Sequence, residues 1–447
     1  MLPTSEHVRR QRTIDIACAQ DEDEREQAGR RAEDDNIIDA ALAALLLHAI
    51  SQDLDAREEA AREARRLHFH VFNAPKKQCV RRDIQTPEFA PWNYFEKNNN
   101  GSDQSWFHCL GLSKNSFESL VGLCQEPWSS NPIIDFNGMS RPQGKPRPSA
   151  LATRLLDCRA TMALSLRYLT TTDSRDALAK MFGVVESCVN KYISFAISIV
   201  LHVLGKNEHS MIYWPLNDVN YLDAMAKKVH CYEKDLQNIF GIKIVGFLDG
   251  IRFCIVNKSG GDYSGEKKKV LRKMILLFDA NGRVVAAVIN CPGSWNDGKC
   301  TRVGHLYSLI EQLLGDYSIV ADTAFRGSLL NGNIKRILKH GERIPPVLTN
   351  EGHRQLEKLL TRVRQPAEWG NNALVQAFKR LRQRLGGNDE LNGELMRATI
   401  LLHNWRVSTC NRNQIKSFFQ QLQLDEGGAT DDEDNLLIVE RGLDLIM

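Results

Sequence analysis

The spacing of apolar positions along the chain changes once, near residue 240, and that change divides two kinds of structure. From Trp106 to about Leu204 the pattern is helical. The stretch LATRLLDCRATMALSLRYL places Leu155, Met162, Leu166 and Leu169 on one stripe at helical intervals, which predicts an amphipathic helix with that stripe buried. In SRDALAKMFGVVESCVNKYISFAISIV a short helix meets Gly183 and a second starts near Glu186. Ala177, Leu178 and Phe182 are expected to pack inward, Gly183 to allow a sharp turn, and Val189 and Ile193 to bury the back of the second helix. Glu186, Ser187, Asn190 and Lys191 then face outward, the outline of a helix-turn-helix with Ser187, Asn190 and Lys191 toward a DNA groove. The same residues also describe an ordinary helical hairpin, and Val185 stands at the cap position, where it offers no oxygen to the backbone N–H groups.

Beyond residue 240 the apolar runs become short and rich in β-branched residues. GIKIVGFLD, VLRKMILLFDANGRVVAAVIN and YSIVADTAF predict strands, and Asn281-Gly282 predicts a hairpin between two of them. Helices are expected from Arg302 to Leu314 and from Pro366 to Leu385. The order strand, strand, strand, helix, strand, helix predicts an α/β fold with a mixed sheet flanked by helices. The segments therefore read as a charged arm with short helices (1–100), a helical region (101–205), a connecting segment (206–240), a catalytic α/β domain (241–407) and an acidic tail (408–447).

Composition narrows the class without deciding the function. With 43% hydrophobic and 25% charged residues the 447-residue chain reads as globular, and its formal charge of +3 is too small to name a partner. Eleven cysteines without a CxxC pair suggest neither a zinc ribbon nor a disulfide framework, which points to reduced thiols in an intracellular compartment. The amino-terminal MLPTSEHVRRQRT has charge where a secretory signal has its apolar core, and the run from Ile37 to Ile50 is short for a membrane span.

Four carboxylates stand where the predicted layout brings chain ends together. Asp249 is expected to close the first strand, Asp297 to lie in the loop PGSWND, Asp322 to end the strand in VADTAF, and Glu368 to open the long helix in QPAEWGNNAL. Strand ends of a mixed sheet converge on one edge. Clustered carboxylates repel unless cations bridge them, and Mg²⁺ or Mn²⁺ takes hard oxygen ligands while leaving positions for phosphate oxygens. Two such ions about 3.5 to 4 Å apart serve an in-line phosphodiester displacement. Each acid also has an ordinary reading, as turn former, helix cap or helix-dipole partner. On a continuous helix Lys379 and Arg382 would fall within about 40° of Glu368 and form a basic ridge able to track a DNA backbone. The loop YSGEKKK, with Lys267 and Lys268, offers a second phosphate-binding candidate or a solvated charge run.

These motifs in this order resemble the Harbinger family of DDE transposases and the nucleases derived from it. The parallel runs from about Leu151 to Arg406 and takes in the helix-turn-helix stretch, Trp214-Pro215, GFLDG, YSGEKKK, PGSWND, ADTAF, AEWGNNALVQAFKRLR and LLHN. The resemblance implies a ribonuclease H-like catalytic domain preceded by an all-helical helix-turn-helix module. It implies a catalytic triad at Asp249, Asp322 and Glu368, with Asp297 as a further acid holding a metal or orienting one of its ligands. It also implies divalent-metal-dependent cutting at transposon ends, joining of 3′-hydroxyls to target DNA, a Myb-like partner protein, a homo-oligomer that pairs two ends, and a nuclear site of action. Two places depart from the family: Gly250-Ile251-Arg252 stands where many relatives have Gly-Thr-His, and Thr323-Ala324-Phe325 where Ser-Gly-Tyr is commoner. Both leave the carboxylates in place and alter their surroundings, which keeps open a transposon-derived DNA-binding protein without cleavage.

Overall fold

A short turn at Pro87–Phe89 leads into α1 (Pro91–Asn98), whose proline stands in the first helical turn, where a missing N–H costs nothing. Trp92 of α1 stacks on Phe182 and meets Trp106 of α2 (Asp103–Leu110) and Phe117 of α3 (Lys114–Ser130) edge to face. Residues assigned to a charged arm are thus part of a buried aromatic cluster from Pro91 onward. The computed structural model describes residues 86–98, 103–131, 133, 154–256, 262–265, 267–386, 388–410 and 412–427, the last with side chains to 422. The expectations for residues 1–85 and for the acidic end lie outside these residues. All described residues fall in one unit, 83–447.

Asp157 caps α4 (Cys158–Thr170) by accepting from the Ala160 N–H. The helix therefore starts after Leu155, which is 52% exposed, and the buried stripe is carried by Met162, Leu166 and Leu169 alone. Ser174 caps α5 (Arg175–Phe182) in the same way, and Gly183 ends it in the left-handed region, at φ 67°. After two further residues α6 (Glu186–Leu204) begins without a side-chain cap, as Val185 requires. Leu178, Ala179 and Phe182 are buried, whereas Ala177 is exposed: it sits in the first turn of α5, one position off the inward stripe. The connecting segment is largely helical, with Asp218 capping α7 (Val219–Tyr232) and α8 (Lys234–Phe240) following.

The strands are β1 (Lys243–Cys254), β2 (Tyr263–Ser264), β3 (Lys269–Phe278) and β4 (Val284–Pro292). After the helices α9 (Asp297–Val303) and α10 (Leu306–Ile310) come β5 (Tyr317–Ala321) and β6 (Ile334–Lys335). β1 lies between β3, antiparallel, and β5, parallel; β4 and β2 pair with β3, and β6 with β5. The β3–β4 hairpin turns at Asn281-Gly282, where Gly282 takes φ 79° and Asp279 accepts from the Asn281 and Arg283 N–H groups.

Three helices complete the unit: α11 (Asn350–Ala377), α12 (Asp389–Cys410) and α13 (Gln414–Gly427). α7 and α11 pack on β1, α12 packs on both β4 and α6, and α13 packs on α7 and α11, so the helical region and the sheet share one core. Ile415 and Phe419 of α13 are buried, which places residues 408–422 in that core and not in a tail. In LLHN, the Asn404 side chain acts as a strand neighbour for β4: it accepts from Val284 N–H at 2.8 Å and donates to Val284 C=O at 2.9 Å. His403 beside it binds the Gly282 carbonyl, and burial pushes its pKa down to about 4. No disulfide joins the cysteines among the described residues.

Candidate active site

The parallel ladder between β1 and β5 ends at the pair Leu248↔Ala321, so Asp249 and Asp322 are the next residue on each chain and stand side by side. Backbones of neighbouring strands lie about 5 Å apart, which brings the two carboxylates near one another, and the charge of Asp322 is felt by Asp249. Asp249 does not close its strand. β1 runs on to Cys254 because its antiparallel partner β3 continues past the point where β5 stops, with Asp249 opposite Leu276. Asp322 does leave its strand and opens a turn in which the Phe325 N–H binds the Asp322 carbonyl and the Phe325 ring is buried.

Both carboxylates are held by the backbone that follows them. Asp249 Oδ1 accepts from Gly250 N–H at 2.8 Å, and Asp322 Oδ1 accepts from Thr323 N–H at 2.7 Å. Burial, aided by the charges of Asp322 and Asp297 and opposed by the Gly250 N–H and Arg364, raises the Asp249 carboxyl from 3.8 to about 6.

Asp297 is the first residue of α9, behind Asn296, which caps the helix through Lys299 N–H. It is therefore helical and not in a loop. A Cβ on Gly250 would lie 3.0 Å from Asp297 Cγ and Oδ2, and one on Gly298 would lie 2.9 Å from the Ala324 carbonyl. Two glycines thus let α9 approach both aspartate-bearing segments. The carboxylate of Asp297 is already matched with a cation: Lys273 Nζ, on a side chain only 5% exposed, lies 3.0 Å from its Oδ1 and also binds the Trp295 carbonyl.

Glu368 lies in the interior of α11 and does not open it. Arg364, Glu368 and Asn371, at positions i, i+4 and i+7, fall on one face of that helix. Asn371 Nδ2 donates to Asp249 Oδ2 at 3.0 Å, and the charge of Arg364 is felt by Asp249, so this face is turned toward the aspartates. The Glu368 side chain, half exposed, is bound by Arg364 at 2.5 Å. Among the described residues no three carboxylate, imidazole or thiol groups are gathered for one ion. The chemistry of the donor set nevertheless suits a divalent cation. Asp249 and Asp322 are hard oxygen donors side by side, the charge of Asp322 raises the cost of ionising Asp249, and the buried Asn371 Oδ1 has no hydrogen-bond partner.

The basic candidates lie elsewhere on the surface. α11 ends at Phe378, and Lys379–Arg382 form a separate 3-10 turn, so no continuous helical ridge joins Lys379 and Arg382 to Glu368. The chain bends because Leu381 and Leu385 are buried and Leu385 pairs with the end of β1 through Cys254 and Val256. Lys267 and Lys268 are exposed in the turn before β3, whose Leu271 faces Cys254, so both basic segments flank the far end of β1. From Asp249 that is five residues of strand, about 17 Å. In the 3-10 turn Arg380 stacks over the Tyr168 ring at 3.9 Å and donates to the Tyr168 and Asp173 carbonyls, which ties this turn to α4 and to the start of α5. Ser187 and Asn190 are exposed and Lys191 is partly exposed in the first turns of α6.

A stretch that opens one residue before Asp249 and closes at Asn404 contains all four acids and the helix face that meets them. Residues 248–404 match the family model described as DDE superfamily endonuclease. No curated protein and no solved structure matches the chain significantly. The matched region spans about a third of the chain and is similar to a DDE superfamily endonuclease, a likeness with which the mixed sheet and flanking helices are consistent.

Sequence reading missed Asn371, Arg364 and Lys273. Asn371 and Arg364 carry a local signal, the helical spacing from Glu368. Lys273 also carries one, a cation that follows Arg272 inside the otherwise apolar run VLRKMILLF.

Proposed function

We propose that the chain is a divalent-metal-dependent DNA endonuclease of the Harbinger transposase type, which cuts phosphodiester bonds at transposon ends and joins the freed 3′-hydroxyls to target DNA. The observation that carries this reading is the adjacency of Asp249 and Asp322 past the Leu248↔Ala321 pair, with the Arg364–Glu368–Asn371 face of α11 turned toward them. Mg²⁺ or Mn²⁺ bound there would polarise the phosphate and support in-line displacement. Asp249 and Asp322 would hold the cation, and Glu368 would complete the triad if turned away from Arg364. Arg364, released by that rotation, has a guanidinium fork suited to a phosphate oxygen. Asp297, paired with Lys273, fixes the approach of α9 to Gly250 and supports the site from behind.

The frame is read as ribonuclease H-like, and α5 and α6 as a helix-turn-helix whose Ser187, Asn190 and Lys191 face DNA. Lys267, Lys268, Lys379 and Arg382 track the backbone at the far end of β1. A Myb-like partner, a homo-oligomer that pairs two ends, and action in the nucleus belong to the same reading.

The test is cleavage of element-end DNA by purified protein in Mg²⁺ or Mn²⁺. The native protein should nick or cut, and Glu368→Gln should abolish cutting while leaving DNA affinity unchanged. A native protein that binds but never cuts, or a Glu368→Gln variant that cuts as well as native, refutes the proposal. The first outcome would favour a transposon-derived DNA-binding protein without cleavage, a reading supported by the engagement of Glu368 with Arg364.

A further inference from the structure

The contact between α11 and the aspartate pair is made by a neutral side chain. Asn371 is 8% exposed and its Nδ2 donates to Asp249 Oδ2 at 3.0 Å, while its Oδ1 is buried and accepts from nothing. A buried carbonyl-type oxygen without a donor is costly, and few are retained in folded proteins without a role for the oxygen. Asparagine needs both ends satisfied, and a carboxylate neighbour can satisfy only the NH₂ end. Because the two ends share one carbon, Oδ1 lies about 4 to 5 Å from Asp249 Oδ2, and at the short end of that range both oxygens reach one ion, whose ligands at about 2.1 Å span about 4.2 Å. An amide oxygen is a hard donor of the kind Mg²⁺ and Mn²⁺ accept.

We infer that Asn371 is a ligand residue of the cation site: its Nδ2 holds the Asp249 carboxylate in place, and its Oδ1 is a neutral oxygen donor to the divalent cation. The inference rests on the metal-dependent reading above and adds a donor to it. It gives α11 two contributions one turn apart, Asn371 set in place before the cation arrives and Glu368 brought over from Arg364.

The test is Mn²⁺ binding by the full chain, read by calorimetry and by the shift of the thermal unfolding midpoint between EDTA and MnCl₂, without DNA or turnover. Asn371→Ala should unfold within a few degrees of native in EDTA and bind Mn²⁺ about tenfold or more weakly. Asn371→Asp restores an oxygen donor and adds a like charge beside Asp249. Its midpoint should fall in EDTA, and Mn²⁺ should raise it by more than it raises the native midpoint, a response that a purely structural hydrogen bond would not produce. Should Asn371→Ala fail to fold, Asn371→Asp decides alone, and no Mn²⁺ rescue of that variant overturns the inference. Native-like Mn²⁺ affinity in Asn371→Ala, with binding lost in Asp249→Asn, overturns the inference and leaves the metal site standing. Absence of Mn²⁺ binding by the native protein overturns both.

Discussion

Replacing Asp249 by Asn should stabilise the protein in EDTA at neutral pH, by an amount that depends on pH in a defined way. The folded carboxyl ionises near 6 and the unfolded one near 3.8, chiefly because burial disfavours its charged form. A carboxyl raised in this way favours the folded state only while protonated. As pH rises from 3.8 to 6 the unfolded chain gives up its proton first, and the folded state loses stability through that window. Above the window the loss is complete, at about 3 kcal/mol. Asn has nearly the shape of Asp and no charge to desolvate. Its oxygen can keep the Gly250 N–H, and rotation of the Asn371 amide lets the orphaned Oδ1 accept from the new NH₂ group. Urea unfolding in EDTA should show Asp249→Asn level with native below about pH 4, ahead by roughly half the full amount near pH 5, and ahead by about 3 kcal/mol at pH 7.5. Saturating Mn²⁺ should then reverse the order, since cation at about a thousand times its dissociation constant adds about 4.1 kcal/mol to the native protein alone. A variant less stable than native at pH 7.5 in EDTA, or a gap that does not change with pH, would show that Asp249 is not a desolvated carboxylate and refute the reasoning.

Two further substitutions probe the support of the site. Lys273→Met removes the cation from a pair whose side chains are 5% and 14% exposed, and should cost about 3 to 5 kcal/mol in urea unfolding at pH 7, much of it recovered in Lys273→Met/Asp297→Asn. Gly250→Ala places a methyl 3.0 Å from the Asp297 carboxylate and 3.2 Å from Ile275 Cδ1, and should cost about 1 to 3 kcal/mol by the same measurement.

How much of this was legible in the sequence follows from how local each determinant is. The β3–β4 hairpin, the cap and stop of α5, and the start of α6 without a cap were readable because Asn281-Gly282, Ser174, Gly183 and Val185 act within four residues of themselves. Pro366 misled because a proline usually marks a helix start, yet the apolar spacing of Leu356, Leu359, Leu360 and Val363 already runs helically before it. The carbonyl that loses its partner to Pro366 belongs to exposed Arg362, where water can replace the bond. The end of α11 at Phe378 had no local mark. It follows from the pairing of Leu385 with β1, more than a hundred residues earlier in the chain.

The same division explains the acids. Four carboxylates were legible as candidates, but the sequence does not show which of them arrive with their own countercharge. Lys273 reaches Asp297 through strand register across 24 positions, and Arg364 reaches Glu368 through one turn of helix. Those two acids have internal cations. Asp249 and Asp322 have, among the described residues, only neutral donors in contact: Gly250 N–H, Asn371 and Thr323. The pair left without an ionic partner is also the pair that the parallel ladder sets side by side, and burial resists the ionisation of Asp249. A divalent cation gains most where negative charge is closest, least solvated and not yet paid for. On the proposed reading that place is beside Asp249 and Asp322. Glu368 therefore enters as the movable member of the set, since taking it from Arg364 breaks one partly exposed ion pair of small worth, whereas taking Asp297 from Lys273 would strand a buried cation.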